Sequence, residues 1–427
     1  MNKSHNFGRR AIFGWAMFDF ANSAFSSLVL TFIFSTYFTK AIAPSEIAGT
    51  ALWSRALTVS GLTVALLSPF VGALADRGGF RKRILLVLTV IAVTGTASLF
   101  TAVPGEVMRA LVLFVIANIG VEMGMVFYNS FLPDIAPPDK IGRISGYGWS
   151  LGYVGGLLAM VVAMYGLVQT DAPLFGFSKE TGENIRATNL LVAAWMAVFS
   201  LPLFIWVKDR QVEHRTGFTA LLKSTAGQLR ETFHEIRRYR QIVRLLLARV
   251  FYNDAILTIF SFGGIYAAGT FGFTFEEILT FGIVLNVAAG AGAFALGFLD
   301  DKLGGKTTIQ LTNIGFMVAT LLAVLAPDKF WFWVAGIIVG LFSGPNQAAS
   351  RSLMARFVPP DKESEFFGFY AFSGKATAFT GPLLLGILTE TFQSQRAGMS
   401  VVLVLFALGS VLLRFVDEKE GKALSGR

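Results

Sequence analysis

The chain has 427 residues, 54% of them hydrophobic and 15% charged, with a formal net charge of +9, three histidines and no cysteine. A soluble domain carries roughly 25% charged residues, so a composition this apolar, with a mean hydropathy of +0.61, indicates a chain embedded in lipid. The lack of cysteine excludes disulfides and thiolate metal sites, though it does not identify the compartment.

Read in chain order, a window of about 19 residues finds apolar segments of about 20 residues or more, each long enough at about 1.5 Å per residue to cross a hydrocarbon core of about 30 Å. They cover approximately residues 11–36, 50–73, 84–104, 108–133, 143–168, 187–207, 243–268, 276–300, 307–326, 330–355, 366–390 and 397–416. Lipid offers no partner for backbone polar groups, and the runs are too long for barrel strands, so the expected fold is an all-α membrane protein with twelve transmembrane helices. Arg9 and Arg10 ahead of the first run imitate a signal peptide, but the run is too long and no small-residue cleavage site follows, so it is kept as a helix.

The charges are one-sided. Assigning every Lys and Arg to a loop places roughly four on one side for each one on the other, and the positive-inside rule makes the rich side cytosolic. That side holds both termini, "DRGGFRKR" from Asp76, "DKIGR" from Asp139, residues 208–242, "DDKLGGK" from Asp300 and the loop after Met354. Anionic lipid head groups account for the basicity. No folded basic domain exists to serve nucleic acid.

The sequence also repeats itself. "GALADRGGFRK" at Gly72 and "GFLDDKLGGK" at Gly297 place Gly, Leu, Asp, a basic residue, Gly and a basic residue at the same offsets, 225 residues apart; "PPDK" recurs at Pro137 and Pro359, 222 residues apart, each followed by glycine (Gly146, Gly368). Near-equal shifts predict two pseudo-symmetric six-helix bundles, 1–207 and 243–427, joined by a cytosolic linker at 208–242. Within the linker Phe218, Leu222, Leu229, Phe233 and Ile236 recur at helical spacing against Lys223, Arg230 and Arg237, which predicts an amphipathic helix on the inner leaflet.

The pattern Gly72-x-Leu74-x-Asp76-Arg77-x-Gly79-x-Arg81, with its second copy from Gly297 through Asp301, resembles the signature loop of the major facilitator superfamily. Within it, "GWAMFDFANSAF", "LPDIAPPDKIGRISGYGWSLGYVGG", "ENIRATNLLVAAWMAVFSLPLF", "FYNDAI" and "SGKATAFTGPLLLG" resemble the bacterial branch related to the fungal vacuolar effluxer of amino acids. The resemblance implies that helices 1, 4, 7 and 10 line a central cavity, and that Gly72, Asp76, Arg77, Arg81, Gly297 and Asp301 form a gating latch. Thr307 and Thr308 stand where the first copy has Lys82 and Arg83, so gating at the second loop is expected to be asymmetric.

Polar residues inside the spans supply the candidate binding site. Asp19 lies about eight residues into helix 1, roughly 12 Å deep, where a charge costs at least about 2.5 kcal/mol and must face protein or water. Trp15, Asp19, Asn22 and Ser26 share one helical face. Helix 4 brings Asn118, Glu122 and Asn129; helix 7 brings Asn253, Asp254, Thr258 and Ser261; helix 10 brings Ser343, Asn346, Gln347, Ser350 and Arg351. Lys375, near mid-depth in helix 11, is the one basic residue expected deep in the bilayer. Asp19, Glu122 and Asp254 would face it as a cluster able to exchange a proton or trade an ion pair for a charged solute; Lys375 as a fixed counter-ion is the competing reading, and Arg351 as a snorkelling anchor is as plausible as a ligand contact. The histidines lie in cytosolic segments, leaving any proton relay to carboxylates.

"GAGAFALG" from Gly290 imitates part of a dinucleotide fingerprint, but it falls inside a span with no preceding strand, where small residues serve close packing. No metal-ligand spacing or nucleophile elbow occurs, so neither enzyme, metal nor cofactor is expected. The reading is a monomeric secondary transporter of the bacterial inner membrane, both termini cytosolic, surrounded by lipid. It would move a small polar or amphipathic solute by alternating access; the family resemblance favours an amino-acid-like solute, exported with proton coupling. Rival readings are a lipid or drug exporter, which a chain with 42 phenylalanines permits, and a non-transporting sensor or scaffold on the same fold.

Overall fold

The structure is a computed structural model that describes residues 8–209, 218–234 and 238–426. Its helices, in chain order, are α1 (Arg9–Ile42), α2 (Glu46–Gly78), α3 (Arg81–Thr101), α4 (Val107–Ile135), α5 (Ile141–Val168) and α6 (Glu183–Trp206). The linker helix α7 (Phe218–His234) follows. Then come α8 (Arg240–Phe271), α9 (Phe275–Leu303), α10 (Gly305–Leu325), α11 (Lys329–Phe357), α12 (Glu363–Phe392), α13 (Gln395–Arg414) and a short α14 (Glu418–Ser425). Eleven of these are long and apolar enough to cross a membrane. The twelfth span is α11, 29 residues long, whose second half is diluted by Asn346, Gln347, Ser350 and Arg351.

The twelve expected spans all fall on helices, each of which begins a few residues before its apolar stretch, whereas α3, α6, α10 and α13 end short of it. α1 differs most: its helix continues past residue 36 to Ile42, with π-helical turns at Phe25–Phe32 and Phe38–Ile42. α1 packs on α5 and α6, and α3 on α4 and α6; α11 packs on α9 and α10, and α13 on α8 and α10. The first six spans meet the last six through α2 against α12, α5 against α9 and α11, and α4 against α12.

These cross-contacts require glycine. A Cβ on Gly72 would stand 2.2 Å from the Ser364 carbonyl oxygen, and one on Gly368 would stand 2.4 Å from that of Ser68, so α2 and α12 touch backbone to backbone. Gly146 and Gly297 let α5 and α9 do the same: a Gly146 Cβ would stand 2.4 Å from the Ala293 carbonyl oxygen, and one on Gly297 3.1 Å from Arg143 Cα. All four lie toward the end where the basic loops gather, hereafter the basic end.

For the linker, the helix Phe218–His234 occurs, whereas the side chains of Phe218, Leu222, Lys223 and Phe233, and residues Ile236 and Arg237, lie outside the described residues. The described buried positions, Thr225, Gln228 and Thr232, are polar and follow i, i+3, i+7. α7 therefore turns a polar face toward the protein and packs on α2.

Candidate functional site

The basic-end contacts begin with helix starts that lack caps of their own. At the opposite end, α2, α9 and α11 are capped locally by Ser45, Thr274 and Asp328. α5 and α12 have no such side chain at their starts, which leaves first-turn N–H groups without partners and a positive dipole end exposed. Both are capped from the other six-helix set. Asp76, at the end of α2, accepts from the Ser364 and Glu365 amides of α12 at 3.1 and 2.9 Å. Asp301, at the end of α9, accepts from the Gly142 and Arg143 amides of α5 at 2.8 and 3.3 Å, and from Arg143 Nε at 2.5 Å.

The two signature copies thus make the same cap despite Thr307 and Thr308. They differ in their surrounding bases. Arg81 joins Asp134 at 2.7 Å, Asp209 at 3.5 Å and Glu363 at 3.8 Å, so one buried guanidinium ties α3, α4, the segment after α6 and α12. In the second copy the acid sits on α9: Asp300 pairs with Arg356 of α11 at 2.7 Å. Arg77 Nε donates to Gln228 Oε1 at 2.5 Å, and Gln228 Nε2 donates to Glu365, so α7 bridges α2 and α12.

Deeper in, the structure divides the expected cluster into three separate sites. Asp19 on α1 pairs with Arg351 on α11 at 2.9 Å, and the Tyr128 hydroxyl of α4 donates to the same oxygen at 2.8 Å. Arg351 is enclosed. Its Nε donates to Ser145 Oγ and its Nη2 to the Ser145 carbonyl on α5, at 2.9 and 2.7 Å, while Nη1 reaches Asn129 Oδ1 at 3.3 Å. The rings of Trp15, Tyr128 and Trp149 surround it at 4.7, 5.5 and 5.7 Å. Snorkelling is therefore not its role: at 2% exposure its charge is met by Asp19 and by ring faces.

Lys375 of α12 pairs with Glu122 of α4 at 2.9 Å, with each side chain 28% exposed. It is not the lone deep cation, since Arg351 and Arg249 are also buried within spans. Asp254 of α8 faces neither Lys375 nor Asp19; its Oδ2 accepts from the Gly381 amide of α12 at 2.8 Å. Asn22 is buried one turn beyond Asp19, and Gln347 is half-buried on α11. Asn346 donates to Thr312 Oγ1 and Asn313 Oδ1 of α10, and Asn118 donates to Ser60 Oγ of α2, so these two amides each bridge helices within one set.

Chemically, the arrangement holds opposite charges across the junction of the two helix sets: a sealed pair toward the basic end and a partly exposed pair nearer mid-depth. Among the described residues no cluster of potential metal ligands occurs. The residues that sequence reasoning undervalued are Arg351 and Arg249. The glycine run of α5 held a signal for the first, because a Cβ on Gly148 would stand 2.6 Å from Asp19 Oδ2 and 2.8 Å from Arg351 Nη2.

The family described as "Vacuole effluxer Atg22 like" matches residues 41–425 of this chain. The chain is 28% identical over 415 residues to the protein named "Uncharacterized MFS-type transporter YxiO" of Bacillus subtilis (strain 168), covering 96% of both chains. It is 24% identical over 424 residues to Autophagy-related protein 22 of Saccharomyces cerevisiae (strain ATCC 204508 / S288c), covering 87% of this chain and 78% of that one. Among solved structures, the major facilitator transporter FucP in its outward conformation superposes with a TM-score of 0.75 at 14% identity, covering 96% of this chain and 99% of that one. The proton:xylose symporter XylE superposes with a TM-score of 0.72 at 15% identity, covering 100% and 98%. The helix count, the paired signature loops and these likenesses agree: the chain belongs to the Atg22-like vacuole effluxer family, within the major facilitator superfamily of transporters.

Proposed function

We propose that this transporter moves an amino-acid-like solute by proton-coupled alternating access, exporting it across the bacterial inner membrane. The observation that carries the reading is the Lys375–Glu122 pair, two opposite charges 2.9 Å apart, half-exposed, and held on α12 and α4 from opposite helix sets. A zwitterion matches it: the solute's carboxylate takes Lys375 while its ammonium takes Glu122, and the cost of parting the pair is returned by two new charge-assisted bonds. Neutral solutes lack that exchange.

The basic end is taken as cytosolic by the positive-inside rule, so both termini face the cytosol. Residues 1–207 and 243–427 are taken to move as units about the 208–242 linker. On this reading the caps at Asp76 and Asp301 form a closed inner gate, in keeping with the superposition on an outward-conformation transporter. Swinging inward must break both caps, the Asp19–Arg351 pair and the Lys375–Glu122 pair. The carboxylates within the spans are the groups positioned to take up the coupling proton. The chain is taken to act as a monomer in contact with membrane lipids.

The test is a screen of radiolabelled amino acids, sugars and lipophilic cations for movement in proteoliposomes of the purified chain under an imposed pH gradient. Gradient-driven movement of at least one amino acid, abolished by Lys375→Met, is expected. Movement of lipophilic cations alone would replace the reading with drug export.

A further inference from the structure

α12 is interrupted at mid-depth. Its i to i−4 ladder reaches Ala376, whose amide donates to the Phe372 carbonyl at 2.9 Å, and resumes at Leu383, which donates to Phe379 at 3.0 Å. Between them Ala378 and Thr380 bond only three residues back, at 3.4 and 2.9 Å. The cause is local: Pro382 has no N–H and its ring excludes a helical carbonyl four residues earlier, while Gly381 gives its N–H to Asp254. Two half-helices result, Glu363–Lys375 and Thr380–Phe392.

α8 meets each broken end with charge of the matching sign. Arg249 Nη1 donates to the Tyr370 carbonyl and Ser373 Oγ at 2.9 and 3.0 Å, and Asn253 Nδ2 to the Gly374 carbonyl at 3.2 Å, all at the negative end of the first half-helix. Asp254 meets the positive start of the second. Neither Arg249 nor Asp254 forms an ion pair among the described residues. Asp254 is buried, and its second oxygen, Oδ1, has no hydrogen-bond partner.

We propose that Asp254 is the proton-binding site of the transporter and the catch of a hinge in α12. Ionised, its carboxylate holds Gly381 and fixes the angle between the half-helices. A proton added to Oδ1 gives a neutral acid, which loses its attraction for the half-helix start and frees Thr380–Phe392 to move. This rests on the proton-coupled reading above and narrows it to one residue. Asp19 holds Arg351 in a sealed pair, so protonating it would strand that cation inside the membrane, and Glu122 is already engaged with Lys375 in the pair that takes the solute. Asp254 strands nothing.

The charged and titratable groups around Asp254 are occupied elsewhere. On its own helix Arg249 is turned to Tyr370 and Ser373, and the Tyr252 hydroxyl bonds Ser350 of α11. On α12 Lys375 pairs with Glu122, and on α11 Arg351 pairs with Asp19. α13 presents Leu405 beside Gly381, and its Arg396 donates to the Val324 and Ala326 carbonyls. A Cβ on Gly381 would stand 2.1 Å from Thr258 Oγ1 and 3.3 Å from Asp254 Oδ1, so a side chain there must displace one or both. Gly381→Ala therefore crowds the catch without touching its charge.

The test places a nitroxide spin label on Thr377→Cys, half-exposed within the break of a chain that has no other cysteine, and records label mobility from pH 5 to pH 9 in proteoliposomes. The expected result is one titration step in the parent. Asp254→Asn and Gly381→Ala should hold the low-pH spectrum throughout, while Asp19→Asn and Glu122→Gln keep the step. No step in the parent, or a step that survives in Asp254→Asn, overturns the proposal, and so does a step lost in Glu122→Gln or Asp19→Asn instead. Solute flux under a pH gradient is measured in parallel, so that coupling and hinge can fail separately. A step lost in Asp254→Asn beside gradient-independent flux in the parent leaves the hinge standing without the coupling. Gradient-driven flux that persists in Asp254→Asn removes that residue from the coupling.

Discussion

Replacing Arg351 by methionine keeps much of its volume and removes the charge that meets Asp19. Asp19 is then a buried carboxylate with the Tyr128 hydroxyl as its remaining named donor. Breaking a buried pair by removing one partner costs about 3–5 kcal/mol, and the retained Tyr128 bond offsets about 1 kcal/mol of that. A deficit of about 2–4 kcal/mol remains, and it falls on the conformer in which α1 and α11 meet. Once the basic end opens, Asp19 reaches water and most of the deficit disappears. At about 1.4 kcal/mol per factor of ten, even the lower figure shifts the gate equilibrium about 30-fold toward opening. The assay is maleimide labelling of Ser130→Cys, a position fully buried in this structure beside Ser364, alongside the thermal midpoint in detergent. Arg351→Met should label at least tenfold faster and melt lower, and adding Asp19→Asn should restore most of both. Labelling at the parent rate with an unchanged midpoint, or a double variant no better than the sum of the two, would refute the reasoning.

The Lys375–Glu122 pair should behave in the opposite way, because at 28% exposure its net contribution to stability is about 0–1 kcal/mol: Lys375→Met and Glu122→Gln should leave the thermal midpoint nearly unchanged while abolishing solute flux, and a large loss of stability would show the pair to be structural. Asp76→Asn removes a charged cap worth about 0.5–2 kcal/mol, so labelling of Ser130→Cys should rise several-fold, and Asp301→Asn should match it; equal labelling of all three would mean that the caps do not hold the gate. Gln228→Ala severs the bridge from Arg77 to Glu365, and should raise labelling by a smaller factor that is additive with Arg351→Met, since the sites are separate. On α14, hydrogen bonds from Arg240 and Gln241 hold the Glu420 carboxyl below its usual range. A depressed folded-state value means that this docking is fully present above the ordinary carboxylate value and is lost as pH falls through the lower one, so amide exchange across residues 418–425 should accelerate only below about pH 4.

The fold was legible because lipid leaves few options: apolar length located every span, and duplicated loops exposed the two-fold plan before any coordinate. The signature glycines were readable for the same reason, since the motif repeated at Gly72 and Gly297 marks two places where helices approach closely. The site was legible only as a set of polar residues. Periodicity places Asn118, Glu122 and Asn129 on α4 but does not say which neighbour each meets, and Asn118 turns to Ser60 while Glu122 crosses to Lys375. Nor does depth reveal burial. Arg351 lies only six residues from the end of α11, where a long side chain commonly snorkels, yet three aromatic rings and Ser145 enclose it. Asp254 was readable as a membrane carboxylate, but its partner is a backbone amide freed by the Gly381-Pro382 step, a contact with no side-chain signal. α7 carries a helical pattern whose polar side docks on α2 and α12, because Gln228 reaches two charged groups that apolar packing would leave unpaired.

Alternating access itself is tested most directly by two distances recorded together under turnover. Spin labels on Asp139→Cys and Lys302→Cys report the basic end, and labels on Glu46→Cys and Glu390→Cys report the opposite end; all four positions are exposed. Pulsed electron resonance in proteoliposomes should show the basic-end distance lengthening as the opposite-end distance shortens, with Asp76→Asn biased toward that second state. Distances that stay fixed, or that lengthen at both ends together, would contradict the account.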